Sequence, residues 1–209
     1  LVKRHLEYSS AKTEGKNILW FPTWREYFGK NYKTEILLMQ MKKILSNSCL
    51  AEYLDKTSSV FTVCLHQFFD EDKIAYFKEN IKTDRIKFVH AKNVDVLDEL
   101  ARNDVLITDY SSVGFDFTTL DKPVILYQPD LETYLKGRGL YCTIEELQEV
   151  SVSKAKQLIN TIVNETYTIN PFFRSRLPQE IDYDYILNGQ QIISEFFDQF
   201  LSEDPTLSM

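Results

Sequence analysis

Val105-Leu106-Ile107-Thr108, followed at once by Asp109-Tyr110-Ser111-Ser112, is the stretch on which the reading of this chain turns. Four residues with no polar alternation read as a strand buried on both faces. Two adjacent serines then precede Val113-Gly114-Phe115-Asp116-Phe117, which reads as the start of a helix. A strand ending in hydroxyls where a helix begins presents unpaired N–H groups and O–H groups to an anion. The plain alternative is that Ser111 or Ser112 simply caps the helix, and the local pattern leaves the two about level.

Working outward, four more apolar runs resemble it. Asn17-Ile18-Leu19-Trp20-Phe21 is a strand stopped by Pro22, residues 59–65 are a second, Ile86-Lys87-Phe88-Val89 a third and Pro123-Val124-Ile125-Leu126-Tyr127 a fifth, with 105–108 the fourth. Between them, 34–46, 70–81 (with Asp70 as N-cap) and 94–100 carry apolar residues at helical spacing. Strands alternating with helices predict an α/β fold: a Rossmann-like three-layer sandwich around a mainly parallel sheet. Residues 1–16 read as a linker or helix tail and 17–150 as the nucleotide-binding domain. A helical extension follows over 151–201, with helices at 153–163 and 189–201 around an aromatic loop, and 202–209 form an acidic frayed tail.

Composition narrows the partners. The 209 residues are 44% hydrophobic and 26% charged, which supports a real core and excludes disorder over most of the length. Twenty-four Lys and Arg against 31 Asp and Glu give a net charge of −7. A broad basic surface is absent, so nucleic acid is not an expected partner. Cys49, Cys64 and Cys142 are scattered, offering neither a disulfide framework nor CxxC metal spacing, and a reducing cytoplasmic setting is expected. No apolar stretch approaches the roughly 20 residues that span a bilayer, and no signal peptide is visible.

In an open parallel sheet, ligands bind outside the carboxyl ends of the strands. That rule gathers Pro22 to Arg25, then His66, then His90, Lys92 and Asn93, then Asp109 to Ser112 at one edge. Arg25 can fork onto a phosphate or pair with a carboxylate such as Glu26. His66 can act as a base or phosphate ligand, or sit bonded to a loop carbonyl. His90 holds the same position one strand later. Asp116 can accept from ribose hydroxyls or answer the helix dipole. Gly137-Arg138-Gly139 reads as a flexible turn whose Arg138 can close on a ligand.

Three blocks together resemble the C-terminal half of the CDP-glycerol glycerophosphotransferase family, the teichoic-acid primases and polymerases. They are Ile18-Leu19-Trp20-Phe21-Pro22-Thr23-Trp24-Arg25; Asp104 through Ser112 with Phe115-Asp116-Phe117 and Lys122-Pro123; and Asp130-Leu131-Glu132 with Tyr134 and Arg138-Gly139-Leu140-Tyr141. The resemblance implies the C-terminal domain of a GT-B type fold that binds CDP-glycerol or a similar CDP-alcohol. The polyol phosphate would pass to a cell-surface polymer acceptor, releasing CMP. It implies that Ser111 and Ser112 hold the diphosphate, that Thr23 and Arg25 line the same site, that His66 assists transfer, and that Asp116 lies near the ribose; Asp109, His90 and Asn93, from the strand ends, and Arg138, from the turn, complete the expected donor-binding set. Neither metal nor cofactor is implied, because the helix end and side-chain cations would neutralise the departing CMP. The family's acceptor half, with its Trp-His-Gly segment, has no counterpart here, and its His-Pro pair is His66-Gln67 in this chain. An N-terminal acceptor-binding domain, in the same or another chain, is thus an expected partner, and a peripheral place at the inner membrane face an expected location. Two other readings stay open: a GT-B glycosyltransferase using a nucleotide sugar, and a non-catalytic nucleotide-binding or assembly domain.

Overall fold

The computed structural model describes residues 1–9, 14–25, 33–66, 75, 77–78, 81–138 and 144–177. Six strands form one sheet: β1 (Asn17–Phe21), β2 (Val60–Leu65), β3 (Ile86–His90), β4 (Val105–Thr108), β5 (Val124–Tyr127) and β6 (Ser151–Val152). Every pairing is parallel, and the order is β3-β2-β1-β4-β5-β6. The described helices are α1 (Val2–Ser9), α2 (Lys33–Leu45), α3 (Ser48–Lys56), α4 (Val96–Arg102), α5 (Val113–Thr118), α6 (Leu131–Arg138), α7 (Ile144–Gln148), α8 (Ala155–Val163) and α9 (Pro171–Arg174).

The continuous apolar strands make sense because both faces are covered. Side chains alternate across a strand. Ile18, Trp20, Phe61, Val63, Leu65, Ile107 and Tyr127 pack one face against Met41 and Ile44 of α2, Leu50 and Leu54 of α3, and Leu158 and Ile162 of α8. Leu19, Cys64, Leu106, Val124 and Leu126 fill the other, under Val2 of α1, Leu100 of α4, Phe117 of α5, Leu131 of α6 and Phe173 of α9. Trp20 sits between Phe61 and Tyr127, meeting each ring edge-on at 6.2 and 6.0 Å. This is a three-layer α/β/α sandwich.

Local chemistry sets the helix starts. Asn47 accepts from the Leu50 N–H at 3.1 Å to begin α3, and Asp95 accepts from Leu97 N–H at 2.9 Å to begin α4. That cap shifts α4 two residues past the start expected from apolar spacing. Asn170 accepts from Phe172 N–H at 3.0 Å, with Pro171 in the first helical position, so part of the expected aromatic loop is a short helix.

Residues 1–9 are more than a tail. Val2 is buried, Arg4 pairs with Asp95 and Asp98 at 2.7 and 2.9 Å, and α1 thereby docks on α4. At the far end, 151–163 continue the sheet domain: β6 pairs with β5 and α8 covers the first face. A two-residue strand has no periodicity to read, which is why sequence spacing places the start of an extension there. Most of the expected helix 70–81, with Asp70, and everything expected over 178–209 lie outside the described residues. Gly137 and Arg138 form the end of α6 rather than a free turn. That helix, opened by Leu131 beneath the second face, has little amphipathic signal of its own.

Candidate functional site at the carboxyl edge of the sheet

The chain runs β1 to β2 to β3 in one direction and β4 to β5 to β6 in the other, so the sheet reverses between β1 and β4. Phe21 lies beside Thr108 in register, and the Thr108 hydroxyl donates to the Phe21 carbonyl at 3.0 Å. The segments leaving these two ends, Pro22 to Arg25 and Asp109 to Ser112, therefore flank one crevice, the place where doubly wound sheets bind ligands.

Asp109 is the centre of that edge. Its carboxylate accepts from the Thr23 N–H at 3.0 Å, the Thr23 hydroxyl at 2.6 Å and the Tyr110 N–H at 2.6 Å. Arg25 donates to it from Nη2 at 2.7 Å, to Asp130 from Nε at 2.9 Å, and to the Thr23 carbonyl from Nη1 at 2.5 Å. The Arg25 side chain is 1% exposed and that of Asp109 4%. Tyr110 closes the ring: its hydroxyl donates to Asp130 at 2.9 Å, and its face lies 4.8 Å from the guanidinium carbon. Tyr134 of α6 stacks on Tyr110 at 3.6 Å. Burial opposes the charge on Arg25, but Asp109 and Asp130 outweigh it and hold its pKa above the ordinary value. Burial, with Asp130 next, pushes the Tyr110 hydroxyl well above its usual range, so it stays a donor.

This network ties the ends of β1, β4 and β5 to α6. Arg25 is thus committed to carboxylates inside the protein, and its donors face Asp109, Asp130 and the Thr23 carbonyl. The carboxyl-end rule gathers Tyr110 but gives it no role, and Asp130 and Tyr134 stand only in the third block of the resemblance, with no place assigned at the site. The carboxyl-end rule, extended to the loop after the fifth strand, would have found Asp130. Gln128, in the same loop, donates to the Asp109 carbonyl at 3.0 Å, while its own buried side-chain carbonyl has no hydrogen-bond partner among the described residues.

Ser111 and Ser112 open α5 at the mouth of the crevice. Ser112 is exposed, already helical in backbone (φ −63°, ψ −16°), and makes no side-chain capping bond. The Ser111 hydroxyl accepts from Val113 N–H only at 3.4 Å. Both hydroxyls are therefore little used by the helix itself. Asp116, one turn on, is exposed, yet desolvation by the groups around it raises its carboxyl above the ordinary value. Gly114 makes room for Phe173: a Cβ on Gly114 would stand 2.2 Å from that ring.

On the other side, His66 follows β2, and the ring of Trp24 stacks on it at 6.2 Å with 16° between planes. His90 ends β3 opposite Leu65 and is 9% exposed; among the described residues neither of its ring nitrogens has a hydrogen-bond partner. Asn93 is exposed at the end of the 3₁₀ turn Ala91–Asn93. Arg138 ends α6. The structure thus brings Thr23, Arg25 and Asp109 into contact, sets Ser111 and Ser112 directly after them, and gathers His66 and His90 at the ends of neighbouring strands.

A wide depression of about 890 Å³ lies at the opposite, amino edge of the sheet. Its cations are already engaged: Lys16 by Glu165, and Lys122 by the carbonyls of Ala101 and Asn103 at 3.3 and 2.5 Å. Lys122 closes the end of α4, a structural use, so the carboxyl edge is the better candidate.

A doubly wound sheet with hydroxyls at its reversal point defines a Rossmann-like α/β domain. Comparison with known proteins sharpens this: the model of the family described as CDP-Glycerol:Poly(glycerophosphate) glycerophosphotransferase matches residues 2–171, and the chain belongs to that family. The chain is 31% identical over 167 residues to the teichoic acid glycerol-phosphate primase of Bacillus subtilis (strain 168), covering 78% of this chain and 37% of that protein. It is 30% identical over 154 residues to the teichoic acid ribitol-phosphate primase of Bacillus spizizenii (strain ATCC 23059 / NRRL B-14472 / W23), covering 72% and 35%. A structure of the wall teichoic acid polymerase TagF, a variant soaked with CDPG, superposes with a TM-score of 0.61 at 21% identity, covering 99% of this chain and 48% of that one. The chain therefore spans between about a third and a half of the length of these relatives.

Proposed function

We propose that the crevice between β1 and β4 binds a CDP-activated polyol such as CDP-glycerol, and that the chain is the donor-binding half of a polyol-phosphate transferase. The observation that carries this reading is the pair Ser111 and Ser112, placed at the reversal point of the sheet with hydroxyls the helix scarcely uses. They and the α5 N–H groups would hold the diphosphate without adding positive charge, which suits a chain of net charge −7. Asp116 would meet ribose hydroxyls, and His90 and Asn93 would face the nucleoside. Thr23 lines the crevice, and Arg25 serves it indirectly by holding Asp109 and the Ser111 loop in place. Arg138, at the end of α6, would approach the donor from the β5 side.

In the transfer, a hydroxyl of a cell-surface polymer attacks the distal phosphorus, the one bearing the polyol. The bond from that phosphorus to the bridging oxygen breaks, and CMP leaves with the electron pair. His66 would steady the departing phosphate. The hydroxyl proton would go to a base in an acceptor-binding half, supplied by the same or another chain. Transfer would take place at the inner face of the membrane with the protein bound peripherally. Among the described residues no helix is long and apolar enough to cross a bilayer.

CMP release from CDP-glycerol tests this, measured for the chain alone and for a protein in which it is joined to an acceptor-binding half. Release that appears only in the joined protein, and falls in His66→Ala, is the expected result. Tight binding with no release in either would make this a nucleotide-binding module.

A further inference from the structure

We propose that Trp24 is a positioning residue: its indole fixes the imidazole of His66 and couples it to the loop that carries Ser111 and Ser112. This rests on the reading that His66 faces the donor. Trp24 stands between two anchored residues. Thr23 is held through its N–H and its hydroxyl by Asp109, and Arg25 is held by Asp109 and Asp130. The Arg25 guanidinium also bonds back to the Thr23 carbonyl, so the backbone on both sides of Trp24 is pinned to the end of β4. The indole is half-buried against the first-face core. From that fixed base its ring lies nearly parallel to His66, 16° between planes and 6.2 Å between centroids, an offset stack. β1 and β2 are neighbours in parallel register, so the stack bridges the two strand ends that flank this side of the crevice. One carboxylate, Asp109, thus orients the serine loop through the chain and His66 through Trp24.

The offset face of an aromatic ring restricts imidazole rotation without taking a hydrogen bond from it, which leaves the ring nitrogens to other partners. Core packing alone does not require the two rings to be parallel, since an aliphatic side chain would also bury apolar surface against this cluster. The separation of these two explanations is spectroscopic. A ring stacked on an indole carries an upfield ring-current shift on its carbon-bound protons, and an imidazole packed against a leucine does not.

The test uses the full chain, with imidazole proton and nitrogen shifts read by NMR and CDP-glycerol as the titrant, in wild type, Trp24→Phe, Trp24→Leu and His66→Ala. Trp24→Leu is expected to move the His66 ring protons downfield and to weaken CDP-glycerol binding roughly two- to twelvefold, the range an aromatic pair contributes. Trp24→Phe, which keeps an aromatic face, restores most of both. Unchanged His66 shifts and affinity in Trp24→Leu would overturn the proposal, as would a Trp24→Phe variant no better than Trp24→Leu. Should His66→Ala bind CDP-glycerol like wild type while Trp24→Leu still displaces the His66 resonances, the stack stands and the donor-facing reading of His66 falls.

Discussion

Replacing Arg25 with lysine separates a buried structural cation from one that meets a ligand. In the structure the guanidinium spans three directions at once: Asp130 from Nε, Asp109 from Nη2 and the Thr23 carbonyl from Nη1. A lysine ammonium keeps the charge, but its donors radiate from one atom, and it cannot reproduce that planar fork. The variant should keep one of the two carboxylate contacts and lose the other. A hydrogen bond to a charged group is worth about 1.5–3 kcal/mol, and the freed carboxylate remains in a pocket from which water is largely excluded, so a loss of about 3 kcal/mol is expected. For a domain of this size that corresponds to a melting temperature lower by about 6–12 °C. Arg25→Met, which removes the cation and leaves Asp109 buried without it, should cost more, about 3–5 kcal/mol. Urea unfolding and thermal melts of the ligand-free chain measure both. A melting temperature within about 1 °C of wild type in Arg25→Lys, joined to a loss of nucleotide affinity, would refute the reasoning and place the guanidinium on the ligand, since a shift that small is under about 0.5 kcal/mol.

Other expectations follow from the same geometry. Ser111→Ala with Ser112→Ala removes two hydroxyls, each worth roughly 1.5–3 kcal/mol against a charged phosphate, so CDP-glycerol affinity should fall about a hundredfold or more while stability changes by about 1 kcal/mol; calorimetry and a thermal melt read the two effects separately. Gly114→Ala drives a methyl into Phe173, which is 2% exposed and has little room to yield, and should destabilise the chain by about 1–3 kcal/mol in urea unfolding. Burial pushes the Cys64 thiol up to about 12, so in the native chain at pH 8 iodoacetamide should modify Cys49, which is exposed, and spare Cys64, as peptide mapping would show. Burial also raises the Glu99 carboxyl above its ordinary 4.5. A raised carboxyl favours the folded state below its unfolded pKa and loses that contribution as pH rises through the folded value. Glu99→Gln should therefore stabilise the chain at pH 7 relative to wild type, with the gain shrinking as pH falls through the raised folded value and vanishing below about 4.5, the unfolded value; urea midpoints at several pH values check the trend.

The sheet could be read from the sequence because burial on both faces leaves a strong mark: β1 and β4 are apolar at every position except their ends, and Pro22 and Asp109 stop them. The order of the strands left no such mark. The reversal between β1 and β4 arises from crossovers that no local pattern records, yet it determines which two loops share the crevice. Candidate site residues divide the same way. Ser111 and Ser112 were visible because a strand end, two hydroxyls and a helix start are adjacent in the chain. The partners of Arg25 were not, since Asp109 and Asp130 lie 84 and 105 residues away and meet it only in the folded sheet. Burial decided that case: an arginine beside a strand end reads as a phosphate fork until its side chain is found 1% exposed between two carboxylates. The role of α1 was hidden for a related reason, because an eight-residue polar helix is held by Val2 beneath the sheet and by Arg4 on α4.

The most direct test is a calorimetric titration of this chain with CDP-glycerol and, in parallel, with a UDP-sugar, repeated on the Ser111→Ala/Ser112→Ala variant. A clear preference for the CDP-alcohol, lost by about a hundredfold in the double variant, is the expected result. Preference for the UDP-sugar, or CDP-glycerol binding that ignores the loss of both serines, would contradict a CDP-alcohol site at the reversal of the sheet.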